Sequence, residues 1–387
     1  MLWKRSLAAV SAFAALVLAA CSDLTTPQSP TATMPSPSGR YIVVFRDSVA
    51  DAPNLTRQLI NVTGGSLTFT YSSALKGFAA RLPQGALAIL GQNPRVAYIE
   101  PDQVFQADVT QSMDANGDPW GLDRIDQQAL PLSHTYTYTG TGVGVHVYII
   151  DTGISTLASD FGGRTDNVYD AYGATGEDCN GHGTHVSGII GGATYGVAKS
   201  VSLHGVRVLS CAGIGLTSQI IAGIDWVRQN HASPAVANMS LGGGLSQALN
   251  DATTNLWNAG VFVAVAAGND NADACQASPA SASGAFTVAA SEKTDAKASY
   301  SNWGTCVEAY APGSAIKSDY LLGMTQTLSG TSMASPHVAG VAALYKGSFG
   351  DAASGTVSSW IISNATTGAI TGNPGGTPNR LLFKAGL

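Results

Sequence analysis

Five apolar runs dictate what this chain can become. Residues 143–150, 201–208, 236–239, 261–267 and 286–290 are apolar, strand-like runs, and they end in Gly- or Asn-containing turns. A strand that is apolar on both faces must be covered on both faces, which requires a parallel sheet between layers of helix. Helical stretches at 217–229 and 246–258 fall between the runs. The reading is an α/β fold, a mostly parallel sheet flanked by helices, spanning 113–387. In such sheets reactive groups gather at the carboxyl ends of the strands.

The chain ahead of this region is organised differently. Residues 40–107 read strand, helix, strand, strand, helix, strand. The strands are 41–45, 67–71, 77–82 and 96–100, the helices 55–62 and 86–90, with Gly64-Gly65, Gly91 and Pro94 as breakers. That order gives a small ferredoxin-like α+β domain. Polar residues 108–118 read as an exposed linker. At the N-terminus, Lys4 and Arg5 precede an apolar run, 7–20, too short to span a bilayer and typical of a signal peptide over 1–20. The run closes on Leu18-Ala19-Ala20-Cys21, which resembles a bacterial lipobox and makes Cys21 a candidate for acylation. Residues 22–39 hold four Pro and eight Ser or Thr, so 21–39 reads as a tether that cannot bury a core.

Charge narrows the function classes. The formal balance is 19 − 25 = −6, and only 11% of residues are charged. From residue 107 onward it is 11 − 20 = −9, which disfavours binding to a phosphate backbone, so no nucleic-acid partner is expected.

Three fragments carry the chemistry. Asp151 closes the run at 145–150 and is followed by Thr152-Gly153. His182 stands in Asn180-Gly181-His182-Gly183-Thr184-His185, before an apolar helix. Ser332 stands in Gly330-Thr331-Ser332-Met333-Ala334-Ser335-Pro336-His337, opening a small-residue helix. A serine hydroxyl is a weak nucleophile until a base takes its proton. Histidine is the natural base near neutrality, and a buried carboxylate fixes its tautomer. A fourth fragment, Gly268-Asn269-Asp270, ends the run at 261–267. An Asn amide there can donate to a tetrahedral oxyanion, worth roughly 3–4 kcal/mol for comparable donors. An α/β-hydrolase would need Gly-x-Ser-x-Gly and the order Ser, Asp, His, and neither is present. A zincin would need a Glu beside His182, which is also missing. A catalytically dead binding module fits poorly, because all four groups are there.

These fragments resemble the three active-site motifs of the subtilisin superfamily, in its Asp, His, Ser order. Trp120-Gly121-Leu122-Asp123-Arg124-Ile125-Asp126, Asn238-Met239-Ser240-Leu241-Gly242-Gly243-Gly244 and Ala266-Ala267-Gly268-Asn269-Asp270-Asn271 are similar to the proteinase K branch and its aqualysin-type bacterial enzymes. The resemblance implies a subtilisin-like serine endopeptidase over 113–387, with an Asp151-His182-Ser332 triad and an Asn269 oxyanion hole. It implies that 40–107 is an inhibitory propeptide and folding aid, removed by autoprocessing. His185 and His337 would be structural. Ser240, Leu241, Gly242, Ala267 and Gly268 would line the pocket for the residue before the scissile bond (P1), favouring apolar or aromatic side chains, and 209–215 would form the cleft edge.

The resemblance further implies disulfides Cys179–Cys211 and Cys275–Cys306, where the four cysteines alone permit three connectivities. It implies structural calcium at Asp123, Asp126 and Gln127, near Ser133 and Thr135. A second site would use Glu308 with backbone oxygens near Ser283 and Ala285. Asp is usual at the Glu308 position. The expected product is an extracellular monomer acting on protein and peptide substrates, its precursor held at the membrane if Cys21 carries lipid.

Overall fold

In a computed structural model of the chain, residues 39–72, 76–101 and 109–387 are described. The signal peptide, Cys21, most of the tether and residues 102–108, which include the start of the segment 106–113 where self-cleavage is expected, lie outside the described residues. Among the described residues no helix is long and apolar enough to cross a membrane.

Residues Arg40–Pro101 contain a four-stranded antiparallel sheet. Its order is Ser66–Tyr71, Gly77–Arg81, Arg40–Phe45, Val96–Pro101, with both outer strands joined through helices, as a ferredoxin-like unit demands. The helix Ala52–Thr63 starts where Asp51 accepts the Asn54 amide at 2.9 Å, and it stops at Gly64 in the left-handed conformation. Its Leu55 and Leu59 pack with Val43, Phe45 and Phe78 in a separate core.

The larger region is built on a nine-stranded sheet. Its order is Thr366–Thr367, Arg380–Leu381, Ala309–Pro312, Phe286–Ser291, Phe262–Ala266, Ala235–Met239, His146–Asp151, Ser202–Arg207, Thr165–Asp170. Every pairing is parallel except that of Thr366–Thr367. The five apolar runs form its centre, and two hydrophobic clusters cover its two faces. The edge strands were not evident in the sequence: Thr165–Asp170 is half-exposed and polar, and Thr366–Thr367 is only two residues long. One expectation is corrected. Residues Val109–Ser112 are not linker but a strand paired antiparallel with Thr135–Tyr138, where the β-branched Val109-Thr110 pair suits an extended backbone.

Two helices place the chemistry. His182–Gly191 begins at His182, and Thr331–Phe349 has Ser332 in its first turn. The second is buried along most of its length, which its run of Ala, Gly and Val permits. Pro336 lies inside it and cannot donate an amide to the Ser332 carbonyl. That carbonyl instead accepts the Ser240 hydroxyl at 2.7 Å.

Candidate active site

Asp151, fully buried at the end of its strand, accepts the Thr152 amide at 2.7 Å. His182 Nδ1 lies 2.8 and 3.0 Å from the two Asp151 carboxylate oxygens. With its Nδ1 proton directed at the carboxylate, the imidazole keeps its Nε2 lone pair for a substrate proton. Burial pulls the His182 pKa down, but the Asp151 charge and hydrogen bond outweigh it and leave the imidazole above its ordinary value. The close approach depends on Gly183. A Cβ there would come within 2.2 Å of the Gly153 carbonyl, in the turn that follows Asp151.

Asp178, which the sequence reading did not single out, organises the start of the His182 helix. Its carboxylate accepts the Asn180, Gly181 and Thr184 amides and the Thr184 hydroxyl at 2.6–3.0 Å. The signal was available: an Asp four residues before a His that opens a helix is well placed to cap it.

Ser332 shares the cleft. Its hydroxyl donates to the Ser240 carbonyl at 3.2 Å, an orientation that must turn for proton transfer to His182. Such contacts are often loose before substrate binds. Asn269 is oriented by Thr331, whose amide and hydroxyl donate to its Oδ1 at 2.8 and 3.0 Å. That leaves the Asn269 amide N–H groups for another acceptor. Gly268, with φ of 103°, lets the chain turn there, since a Cβ would strike Asn302 Nδ2 at 2.3 Å.

Two adjoining cavities make up the cleft. One, of about 510 Å³, is lined by His182, Ser240, Leu241 and Gly242 and by edge residues Leu209 and Ala212–Gly215. The other, of about 230 Å³, is lined by Leu241, Gly242, Ala267, Gly268, Asn269 and Ser332. Asp270 also lines the smaller cavity. The Gly and Ala wall is therefore not free of charge: Asp270 is exposed beside it.

The other two motif histidines, His185 and His337, are held by the fold. His185 Nε2 donates to the Ile316 and Gln326 carbonyls at 3.1 and 3.0 Å, and His337 Nδ1 donates to the Met333 carbonyl at 2.8 Å. Burial pushes both down to about 4. Bonds join Cys179 to Cys211 and Cys275 to Cys306. The first ties the start of the His182 loop to the cleft edge.

Subtilases often bind structural calcium. Among the described residues no three acidic, histidine or cysteine side chains converge as a metal cluster. Asp123 already accepts the Ser133 and His134 amides and the Ser133 hydroxyl, and Gln127 Oε1 accepts the Ser133 amide. Asp126 and Glu308 differ. Asp126 accepts the Thr137 amide, and Glu308 the Thr287 amide and its own. Burial raises Asp126 to about 6 and Glu308 to about 7. Desolvated carboxylates with few donors suit a hard cation that takes oxygen ligands, so the donor chemistry of these two groups fits calcium.

The subtilase family profile matches residues 142–383, and the peptidase inhibitor I9 profile matches 40–108. The chain is 47% identical over 399 residues to the extracellular serine proteinase of Thermus sp. (strain Rt41A), covering 95% of this chain and 96% of the relative. It is 48% identical to the alkaline serine exoprotease A of Vibrio alginolyticus, over 89% of this chain and 67% of that protein. A crystal structure of a cold adapted subtilisin-like serine proteinase superposes with a TM-score of 0.67 at 50% identity, covering 68% of this chain and 97% of that one.

Proposed function

The chain belongs to the subtilase family and is a subtilisin-like serine endopeptidase with an inhibitory propeptide, and we propose that Asp151, His182, Ser332 and Asn269 are its catalytic residues. Ser332 Oγ attacks the scissile carbonyl while His182 Nε2 takes its proton. Asp151 holds the imidazole tautomer and stabilises the imidazolium. The oxyanion is met by the Asn269 side-chain amide and by the N-terminal end of the Thr331–Phe349 helix. His182 then returns the proton to the leaving amine, and water hydrolyses the acyl-enzyme by the same route. The observation that carries this reading is the contact of His182 Nδ1 with both oxygens of a fully buried Asp151.

We further infer that the mature domain runs from about residue 113 and acts as an extracellular monomer with broad specificity, preferring apolar or aromatic P1 residues. The smaller cavity beside Ser332, walled largely by Leu241, Gly242, Ala267 and Gly268, supports that preference, and Asp270 adds tolerance for a basic residue. The precursor is exported by residues 1–20, with Cys21 as its lipid anchor, and cuts itself between 106 and 113. Calcium stabilises the fold through Asp126 and Glu308, with Asp123 and Gln127 at the first site, and takes no part in the chemistry.

The test is a pair of measurements. A serine-directed phosphonylating reagent should label Ser332 alone and abolish casein hydrolysis. Purified Ser332→Ala precursor, made without other proteases, should keep residues 40–107 attached indefinitely. Self-cleavage of that variant at the normal rate would remove Ser332 as the nucleophile.

A further inference from the structure

The Cys179–Cys211 bond does not lie in a protected interior. Both cysteines are exposed. Arg207 Nη2 lies 3.5 Å from Cys179 Sγ and 3.6 Å from Cys211 Sγ. The guanidinium is kept there by Asp170 at 3.3 Å, by the Leu209 carbonyl at 3.4 Å and by the Tyr172 ring, 5.1 Å to its centroid. The Cys275–Cys306 bond is set differently. It is half-buried, and Cys275 Sγ meets the Thr305 hydroxyl at 3.5 Å.

We propose that Cys179–Cys211 is a modification site for small anionic thiols, which open it by thiol–disulfide exchange and thereby lower the activity proposed above. The thiolate attacks one sulfur, a new S–S bond forms as the old one breaks, and the electron pair leaves on the other cysteine as thiolate. The first step is balanced without any outside oxidant, and a second thiol equivalent releases the small disulfide and leaves both cysteines reduced. A cation beside a sulfur lowers its thiol pKa, and a lower-pKa thiol leaves faster. Arg207 is within 3.6 Å of both sulfurs, so it favours departure of either one and attracts the anionic attacker as well.

The bond also reaches the base. The Cys211 carbonyl accepts Asn180 Nδ2 at 2.9 Å, and Asn180 Oδ1 accepts the His182 amide at 3.2 Å. Opening the bond frees the edge at 209–215 first, and His182 only through Asn180. Exchange should therefore raise KM more than it lowers kcat.

The bond chemistry is tested apart from activity. Mature enzyme blocked at Ser332 by a phosphonyl group, to prevent autolysis, is incubated with 2-mercaptoethanesulfonate or with neutral 2-mercaptoethanol. Mixed disulfides are then mapped by peptide mass. Peptides bearing Cys179 or Cys211 should be modified before those bearing Cys275 or Cys306, and the preference should be stronger for the anionic thiol. Arg207→Gln should slow that modification by about 3- to 10-fold, Arg207→Lys should slow it less, and 1 M salt should weaken the preference in the unaltered protein. The salt arm keeps the proposal testable if Arg207→Gln does not fold. Equal modification of the two bonds, or a rate unaffected by both Arg207→Gln and salt, overturns the assignment. Unblocked enzyme whose kcat/KM is unchanged after complete exchange at Cys179–Cys211 overturns the effect on activity. An enzyme inactive before any exchange would instead count against the proposed function.

Discussion

Replacing Asp319 by Asn should stabilise the enzyme in alkali and leave it unchanged in acid. Asp319 ends the strand Ile316–Asp319, is 6% exposed, and carries a buried Oδ2 with no donor. Its neighbour Asp160 is well supplied: both of its oxygens accept the Thr194 amide at 2.9–3.0 Å, and its Oδ1 accepts the Thr194 hydroxyl at 2.6 Å. Asp319 Oδ2 has no such donor, which favours the neutral form of Asp319. Burial first, and then the Asp160 charge, push Asp319 up to about 8. The native state thus holds a proton that the unfolded chain releases near pH 4. Stability falls as pH climbs from about 4 to about 8 and then levels. At ~1.4 kcal/mol for each tenfold change in proton affinity, that interval bounds the loss at roughly 5–6 kcal/mol. Entry of water and local relaxation leave on the order of 2 kcal/mol. Asparagine preserves the shape and can donate to Asp160. For a domain of this size the gain corresponds to about 4–8 °C in the unfolding midpoint. Thermal unfolding of phosphonylated mature enzyme should show that rise at pH 9 and almost none at pH 4.5. Equal shifts at both pH values, or a lower midpoint at pH 9, would refute the reasoning.

Asn269→Ala should reduce kcat by roughly 100- to 1000-fold with little change in KM, read from steady-state hydrolysis of a peptide anilide; a loss confined to KM would place Asn269 in binding instead. Asp151→Asn should reduce kcat by about 10⁴. Because the Asp151 charge holds the His182 pKa above its ordinary value, the acid limb of the kcat/KM profile should also move to lower pH in that variant, and an unmoved limb would argue against the pairing. Exhaustive chelation should lower the thermal midpoint, and added calcium should restore it by mass action. Glu308→Gln should weaken that response, and a midpoint indifferent to chelator would remove the calcium proposal.

What the sequence disclosed depended on how locally each feature is encoded. The central strands were legible because burial on both faces writes itself into every residue of 147–150 and 262–266. Thr165–Asp170 was not, because an edge strand needs only backbone partners and its side chains are free to be polar. Asp151, His182 and Ser332 stood out because each lies in a fragment whose neighbours are also constrained: Gly183 by a carbonyl that would lie 2.2 Å from any added Cβ, Pro336 by a helix turn whose lost bond Ser240 replaces. Asp160 and Asp319 lie 159 positions apart, and neither has a neighbour that announces the other. Their coupling arises only when the chain folds. The same holds for Arg207, an ordinary strand-end arginine until Cys179 and Cys211 meet beside it.

The helix His182–Gly191 shows what this non-local chemistry accomplishes. Its first turn is fixed by Asp178 and, through Asn180, by the Cys211 carbonyl. Its far end is fixed by Arg164, which donates to the Gly191 carbonyl at 2.8 Å. Asp319 packs against the same end: a Cβ on Gly188 would lie 2.7 Å from Asp319 Oδ2, and one on Gly192 would lie 2.9 Å from it. A rigid helix carries displacement along its axis, so both ends bear on where His182 sits against Asp151. Loosening the near end reaches the imidazole through Asn180. Charging Asp319 at the far end acts first on stability, because the buried helix residues Gly183–Ser187 stand between its contact at Gly188 and the base. Asp319→Asn should therefore leave kcat/KM at pH 7 within about twofold of the unaltered enzyme while changing its alkaline stability. A fall in activity parallel to the change in midpoint would mean that the helix transmits more than this geometry allows.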